Sequence, residues 1–92
     1  MTNRVVQKFY APWCAPCKAV QPLLEKVAAE FNAEIIEVNI EEQPELARAM
    51  EIRSIPTIVL YEDDRMKVKR PGIGSITPVN LNEVFVAAYG DK

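Results

Sequence analysis

Two short runs rich in β-branched and aromatic residues, Arg4 to Tyr10 (RVVQKFY) and Glu34 to Ile40 (EIIEVNI), flank a stretch with a different rhythm. In that stretch Val20, Leu23, Leu24, Val27, Ala28 and Phe31 recur at i, i+3, i+4, i+7, i+8 and i+11, which is one face of a helix. Strand, helix and strand over this length predict a βαβ unit, hence a parallel pair with a right-handed crossover. A parallel pair is covered on both faces, so this segment commits the chain to an α/β arrangement. Pro22 sits inside the helical pattern without a backbone N–H to donate. Because the apolar stripe continues beyond it, a kink is expected there rather than an end.

Pro44 starts a short helix expected to run through Met50, with Leu46, Ala47 and Met50 facing inward. Thr57 to Tyr61 (TIVLY) reads as a third strand, Glu62-Asp63-Asp64 as a turn, and Met66 to Arg70 (MKVKR) as a fourth strand. Thr77 is placed as an N-cap, with Pro78 at the first helical position. Leu81, Val84, Phe85 and Ala88 supply the apolar face of the last helix, and Gly90 its stop. The expected order is βαβαββα, a four-stranded mixed sheet flanked by three helices. With no linker, repeat or low-complexity segment, residues 1–92 read as one domain.

Composition removes several function classes. The chain is 49% hydrophobic and 26% charged, ordinary values for a globular protein. A net charge of -2 exerts no strong pull on nucleic acid or membrane, so neither is expected as a partner. No apolar run approaches the roughly 20 residues that span a bilayer. The start, MTNRVVQK, has no uninterrupted apolar stretch of signal-peptide type, which points to a cytoplasmic location. With no histidine, Cys–His nucleophiles and His-containing metal sites are excluded. Two cysteines cannot complete a tetrahedral zinc site in one chain without carboxylates, although a site shared between two chains stays possible.

Those two cysteines stand in Ala11-Pro12-Trp13-Cys14-Ala15-Pro16-Cys17-Lys18, where the first strand gives way to the helix. As a structural staple the pair is weak, because so short a loop removes little unfolded-chain entropy. In a cytosolic chain a close pair is metal-binding or redox-active. Two helix-start cysteines that merely pack are the bland alternative. At a helix start both sulfurs lie on one side of the first turn, beside unpaired N–H groups and the positive end of the helix dipole. That setting favours a thiolate at Cys14 as nucleophile, with Cys17, one turn deeper, as the shielded resolving thiol.

At this point the chain resembles the thioredoxin family, from Val5 to about Tyr89. The residues Phe9 to Lys18 are similar to the family's active-site strand and helix start, and Pro22 to its helix-kinking proline. Val38-Asn39-Ile40 with Glu41-Glu42-Gln43-Pro44 resembles the strand end and turn before the second helix. Ile52-Arg53-Ser54-Ile55-Pro56-Thr57 resembles the segment whose proline is cis, and Gly72 matches the glycine facing the active site. The resemblance implies a redox-active disulfide between Cys14 and Cys17 and a cis Pro56 beside the sulfurs. It also implies that Ile55 offers its backbone to an extended substrate strand. Trp13, Ile55, Gly72 and Ile73 would rim a flat apolar docking surface.

The departures are informative. The resemblance starts at the active-site strand, without the family's usual leading strand and helix, so the chain reads as a minimal version, closer in size to glutaredoxins and short thioredoxins. Ala15-Pro16 replaces Gly-Pro between the cysteines and bears on the redox potential. Tyr10 stands where a second tryptophan is common, and Ser54 where glycine is common. The family's buried aspartate on the active-site strand, and its lysine on the next strand, correspond here to Lys8 and Glu37: the charges are exchanged. A protonated lysine cannot take a proton from Cys17 but can stabilise its thiolate, leaving Glu37 as candidate base. The pair is either buried beneath Cys17 or solvated at both ends, with the lysine stem covering apolar surface.

The function so implied is that of a thiol–disulfide oxidoreductase, a monomeric dithiol reductant of protein disulfides that needs no cofactor. It would serve electron transport and cell redox homeostasis. Its partners would be oxidised client proteins, ribonucleotide reductase among them, and a thioredoxin-reductase-like electron donor. Alternatives are a glutaredoxin-like reductase and a redox-silent adaptor that uses the fold to bind a protein. Pro71-Gly72-Ile73-Gly74-Ser75 lacks the glycine-plus-acidic pattern that glutaredoxins use for glutathione, and the intact Cys pair argues against silence. The charges Arg65, Lys67, Lys69 and Arg70 on the fourth strand are read as a guard against edge pairing rather than as a nucleic-acid patch.

Overall fold

Alternation along the first strand sets up both layers of the molecule. In the computed structural model, which describes residues 3–72 and 78–90, this strand is β1 (Arg4–Tyr10). It leads into α1 (Ala15–Glu30), β2 (Glu34–Asn39), α2 (Pro44–Ala49), β3 (Thr57–Glu62), β4 (Arg65–Pro71) and α3 (Pro78–Tyr89). The strands lie in the order β2-β1-β3-β4. β1 pairs in parallel with β2, Lys8 standing opposite Glu37, and antiparallel with β3, which pairs antiparallel with β4. This is the βαβαββα order and mixed sheet expected from the periodicities. The expected N-cap Thr77 lies outside the described residues.

Residues two apart on a strand share a face. Val6 joins Ile58 and Leu60 under Val20, Leu24, Val27, Ala28 and Phe31 of the first helical segment and Leu81, Val84 and Phe85 of α3. Phe9, three residues on, belongs to the opposite face, where it meets Val38 and Val59 beneath Leu46, Met50 and Ile52. β1 and β3 are therefore covered on both sides, and each large side chain so buried contributes about 1.5–3 kcal/mol.

α1 runs through Pro22 without interruption, as its continuing stripe required. It ends on Phe31, which is fully buried against Phe85, ring centroids 5.4 Å apart. The β3–β4 connection is tighter than the sequence suggests. β3 extends to Glu62, and the two-residue turn Asp63-Asp64 has φ of 52° and 67°, the conformation that matches a hairpin's twist. β4 is an edge strand on which only Val68 is partly buried, so its cationic residues stand where edge protection requires them. Among the described residues no helix is long and apolar enough to cross a membrane.

Candidate active site

The parallel strand β1 ends at Tyr10, and the chain turns through Ala11 to Trp13 before α1 begins. Cys14 is the residue that caps this helix. Its backbone is extended (φ -86°, ψ 104°), and its Sγ accepts a hydrogen bond from the Cys17 N–H at 3.2 Å. Sulfur thus occupies the place where a serine or aspartate oxygen usually satisfies a first-turn N–H. The first turn carries no acidic residue to compete for the positive end of the helix. Cys14 and Cys17 form a disulfide with Cα atoms 5.3 Å apart. Both are buried, Cys17 the deeper of the two.

Ala11, Cys14 and Cys17 form a small apolar cluster, against which Tyr10, Ile40 and Ile55 pack. Ile55 therefore reaches the sulfurs from the loop before β3. The Ile55–Pro56 bond is cis, and Pro56 is fully buried. The Thr57 hydroxyl donates to the Ser54 carbonyl at 2.6 Å and ties this loop together. The register Thr57 opposite Pro71 carries Gly72 toward Pro56, and Gly72 has φ +68°, a conformation that favours glycine although the space around it is open. Trp13 is 67% exposed, and its indole N–H donates to Glu41 Oε2 at 2.9 Å. Glu41 is oriented in turn by a hydrogen bond from its N–H to Asn39 Oδ1. Ile73 lies outside the described residues.

Lys8 and Glu37 meet neither expectation. They are not a buried pair, and they are not both solvated. Lys8 is 2% exposed, whereas the Glu37 side chain is 48% exposed at the end of a 3.6 Å ion pair. That separation is charge attraction rather than a hydrogen bond, and solvent screens it. The ammonium is held elsewhere: it donates to the Cys17 carbonyl oxygen at 2.9 Å and to the Gln21 side-chain oxygen. The asymmetry follows the strand order: β2 is a sheet edge, and Glu37 on it is half exposed, whereas β1 is a central strand and Lys8 on it is buried. Burial pulls the Lys8 pKa below the ordinary lysine value, and the Glu37 and Glu25 carboxylates oppose that pull. Sequence reading missed Gln21. Its signal was the spacing, since it lies one helical turn beyond Cys17 on the side that faces β1.

The arrangement is a two-sulfur redox site. One sulfur caps the helix, the other sits one turn inside, and an exposed tryptophan and a cis-proline loop flank them. The family model for Thioredoxin matches residues 1–81. The thioredoxin of Mycoplasmoides gallisepticum is 39% identical over 84 residues, covering 90% of this chain and 82% of that protein. A Staphylococcus aureus thioredoxin is 40% identical over 79 residues, covering 84% of this chain and 74% of its own. Among solved structures, mitochondrial thioredoxin 3 of Saccharomyces cerevisiae in its oxidised form superposes with a TM-score of 0.75 at 32% identity. It covers 88% of this chain and 74% of that one. The N21Q mutant thioredoxin of Halobacterium salinarum gives a TM-score of 0.81 at 28% identity, covering 94% and 74%.

Proposed function

The chain belongs to the thioredoxin family and is a thiol–disulfide oxidoreductase, and from that premise we propose that it runs as a dithiol reductant of protein disulfides. The observation that supports the division of labour between the two sulfurs is the Cys14 Sγ at the helix N-cap, receiving the Cys17 N–H. A thiolate there gains a hydrogen bond and the helix field, so Cys14 is the nucleophile. Its thiolate attacks one sulfur of a client disulfide, and the other client sulfur leaves as a thiolate. Cys17 then loses its proton and attacks Cys14, closing the internal disulfide and releasing the second client sulfur. Two electrons pass from the protein to the client, and two protons from solvent complete the client thiols.

Trp13, Ile55, Pro56, Gly72 and Ile73 form the client surface in this proposal, with the Ile55 backbone pairing to an extended client segment. Lys8 stabilises the Cys17 thiolate, and the half-exposed Glu37 beside it is the proton acceptor. Oxidised cytoplasmic proteins, ribonucleotide reductase among them, are the clients, and a thioredoxin-reductase-like donor restores the dithiol. The assignment of the two sulfurs is tested by trapping. With a disulfide-bearing protein as substrate, Cys17→Ser should accumulate a mixed disulfide and Cys14→Ser should not. Equal trapping by the two variants would overturn the assignment.

A further inference from the structure

A cavity of about 390 Å³ opens beside Cys17, with Lys8, Tyr10, Lys18, Gln21 and Glu37 among its walls. The Lys8 ammonium projects beneath it with three N–H bonds to satisfy. Cys17 O takes one at 2.9 Å, the Gln21 side-chain oxygen another, and Glu37 lies at 3.6 Å. Only the first two are hydrogen bonds, and only Gln21 is a side chain that can be changed. Gln21 is itself gripped from outside, its amide nitrogen donating to Glu25 Oε2 at 3.2 Å. The two charges fix the amide's orientation. Reversed, it would set NH2 against an ammonium and a carbonyl oxygen against a carboxylate.

We propose that Gln21 is a positioning residue for the thiol chemistry, bridging the surface carboxylate of Glu25 to the buried ammonium of Lys8 and so keeping that positive charge on the Cys17 carbonyl. The charge then lies one residue's breadth from the sulfur that must ionise to resolve a mixed disulfide. A cation held there favours the thiolate. Without the Gln21 oxygen, the ammonium loses a buried acceptor, and the side chain either gives up its proton or swings into the cavity. Both responses take positive charge from Cys17. The charged groups around Lys8 are accounted for: Glu37 on β2, Glu25 and Lys18 on α1, and the Tyr10 ring on β1, 5.7 Å from Nζ. The bridge links an exposed residue of α1 to the reactivity of a buried sulfur.

The inference rests on the proposed role of Cys17 as resolving thiol, but it is tested without a client. In a Cys14→Ser background Cys17 is the only thiol, and its ionisation is followed by ultraviolet thiolate absorbance against pH. Gln21→Met should move the midpoint upward by about one pH unit, roughly a tenfold loss of thiolate at neutral pH. In a Lys8→Met background the same change should move nothing further, because the charge it positions is gone. Gln21→Asn, which keeps an amide but falls short by one methylene, should shift the midpoint in the same direction. A midpoint unmoved by Gln21→Met, or moved equally with and without Lys8, would overturn the proposal. A failure confined to client trapping would overturn the role of Cys17 and leave the bridge intact.

Discussion

A lysine in the middle of a central strand survives only if its charge is answered, since an unpaired buried ion costs several kcal/mol. Lys8 meets that condition through two oxygens on α1, and its register partner Glu37 adds only a screened attraction. Tyr89 shows the same rule for a neutral group. Its hydroxyl lies within hydrogen-bond distance of the Tyr61 carbonyl (2.9 Å) and the Val5 carbonyl (3.2 Å), with the Arg4 guanidinium 4.9 Å from the ring centre. Burial pushes this phenol from 10.0 up to about 12, against the pull of Arg4. Between those values the unfolded chain gives up a proton that the folded chain keeps, so stability falls as pH rises, by about 1.4 kcal/mol per unit. Tyr89→Phe should cost about 1 kcal/mol near neutrality. It should also flatten the decline between pH 10 and 12, as read by urea denaturation across that range. A slope that persists in the variant would belong to other groups.

Elements in this chain are bounded by local chemistry, and two of the boundaries work against intrinsic preference. Glu51 closes α2 with φ 55°, and the Lys69 ammonium crosses from β4 to donate to the Met50 and Glu51 carbonyls at 2.8 and 3.1 Å. One member of the cationic stripe is thus a helix cap as well as an edge charge. At the hairpin, Asp63 is held by the main chain of Asn3, through N–H to carbonyl at 2.8 Å and carboxylate to N–H at 2.9 Å. Asp64 carries φ 67°, where a side chain costs free energy that glycine does not incur. Asp64→Gly should therefore stabilise the protein by about 0.5–1 kcal/mol, because the turn stays and its strain goes. A higher urea midpoint at unchanged m-value would show it, and a lower midpoint would mean that the Asp64 carboxylate contributes more than its backbone costs.

Across the whole molecule, the sheet brings three separate segments to one disulfide: the turn into α1, Ile40 just after β2 and Ile55 of the cis-proline loop. Trp13 stands out from this surface with its ring tied to Glu41. A single exposed aromatic supports little of the core but offers much area to a partner. Trp13→Ala should lower kcat/KM for a protein client about tenfold through KM, equivalent to about 1.4 kcal/mol. The unfolding free energy should move by no more than about 0.5 kcal/mol. A small-molecule disulfide should be reduced at nearly the unaltered rate. Equal losses on both substrates would place the tryptophan in the chemistry rather than in docking.

The amino-acid sequence alone determined the order and kind of the elements, because hydrophobic period, proline placement and capping residues act over one or two turns of chain. It placed the sulfurs at the start of a helix for the same reason, since the pair stands between the first strand and the apolar stripe that begins at Val20. The resemblance carried by Ser54-Ile55-Pro56-Thr57 located the loop that meets them. The partners of Lys8 were decided by tertiary structure. Strand register sets Glu37 beside it, and that much is readable from pairing alone. But the height and turn of α1 above β1 bring Cys17 O and Gln21 within reach of the ammonium, while the open edge at β2 leaves Glu37 to solvent. A long flexible side chain finds the acceptor that packing puts closest, and no spacing along the chain encodes how a helix settles on a sheet.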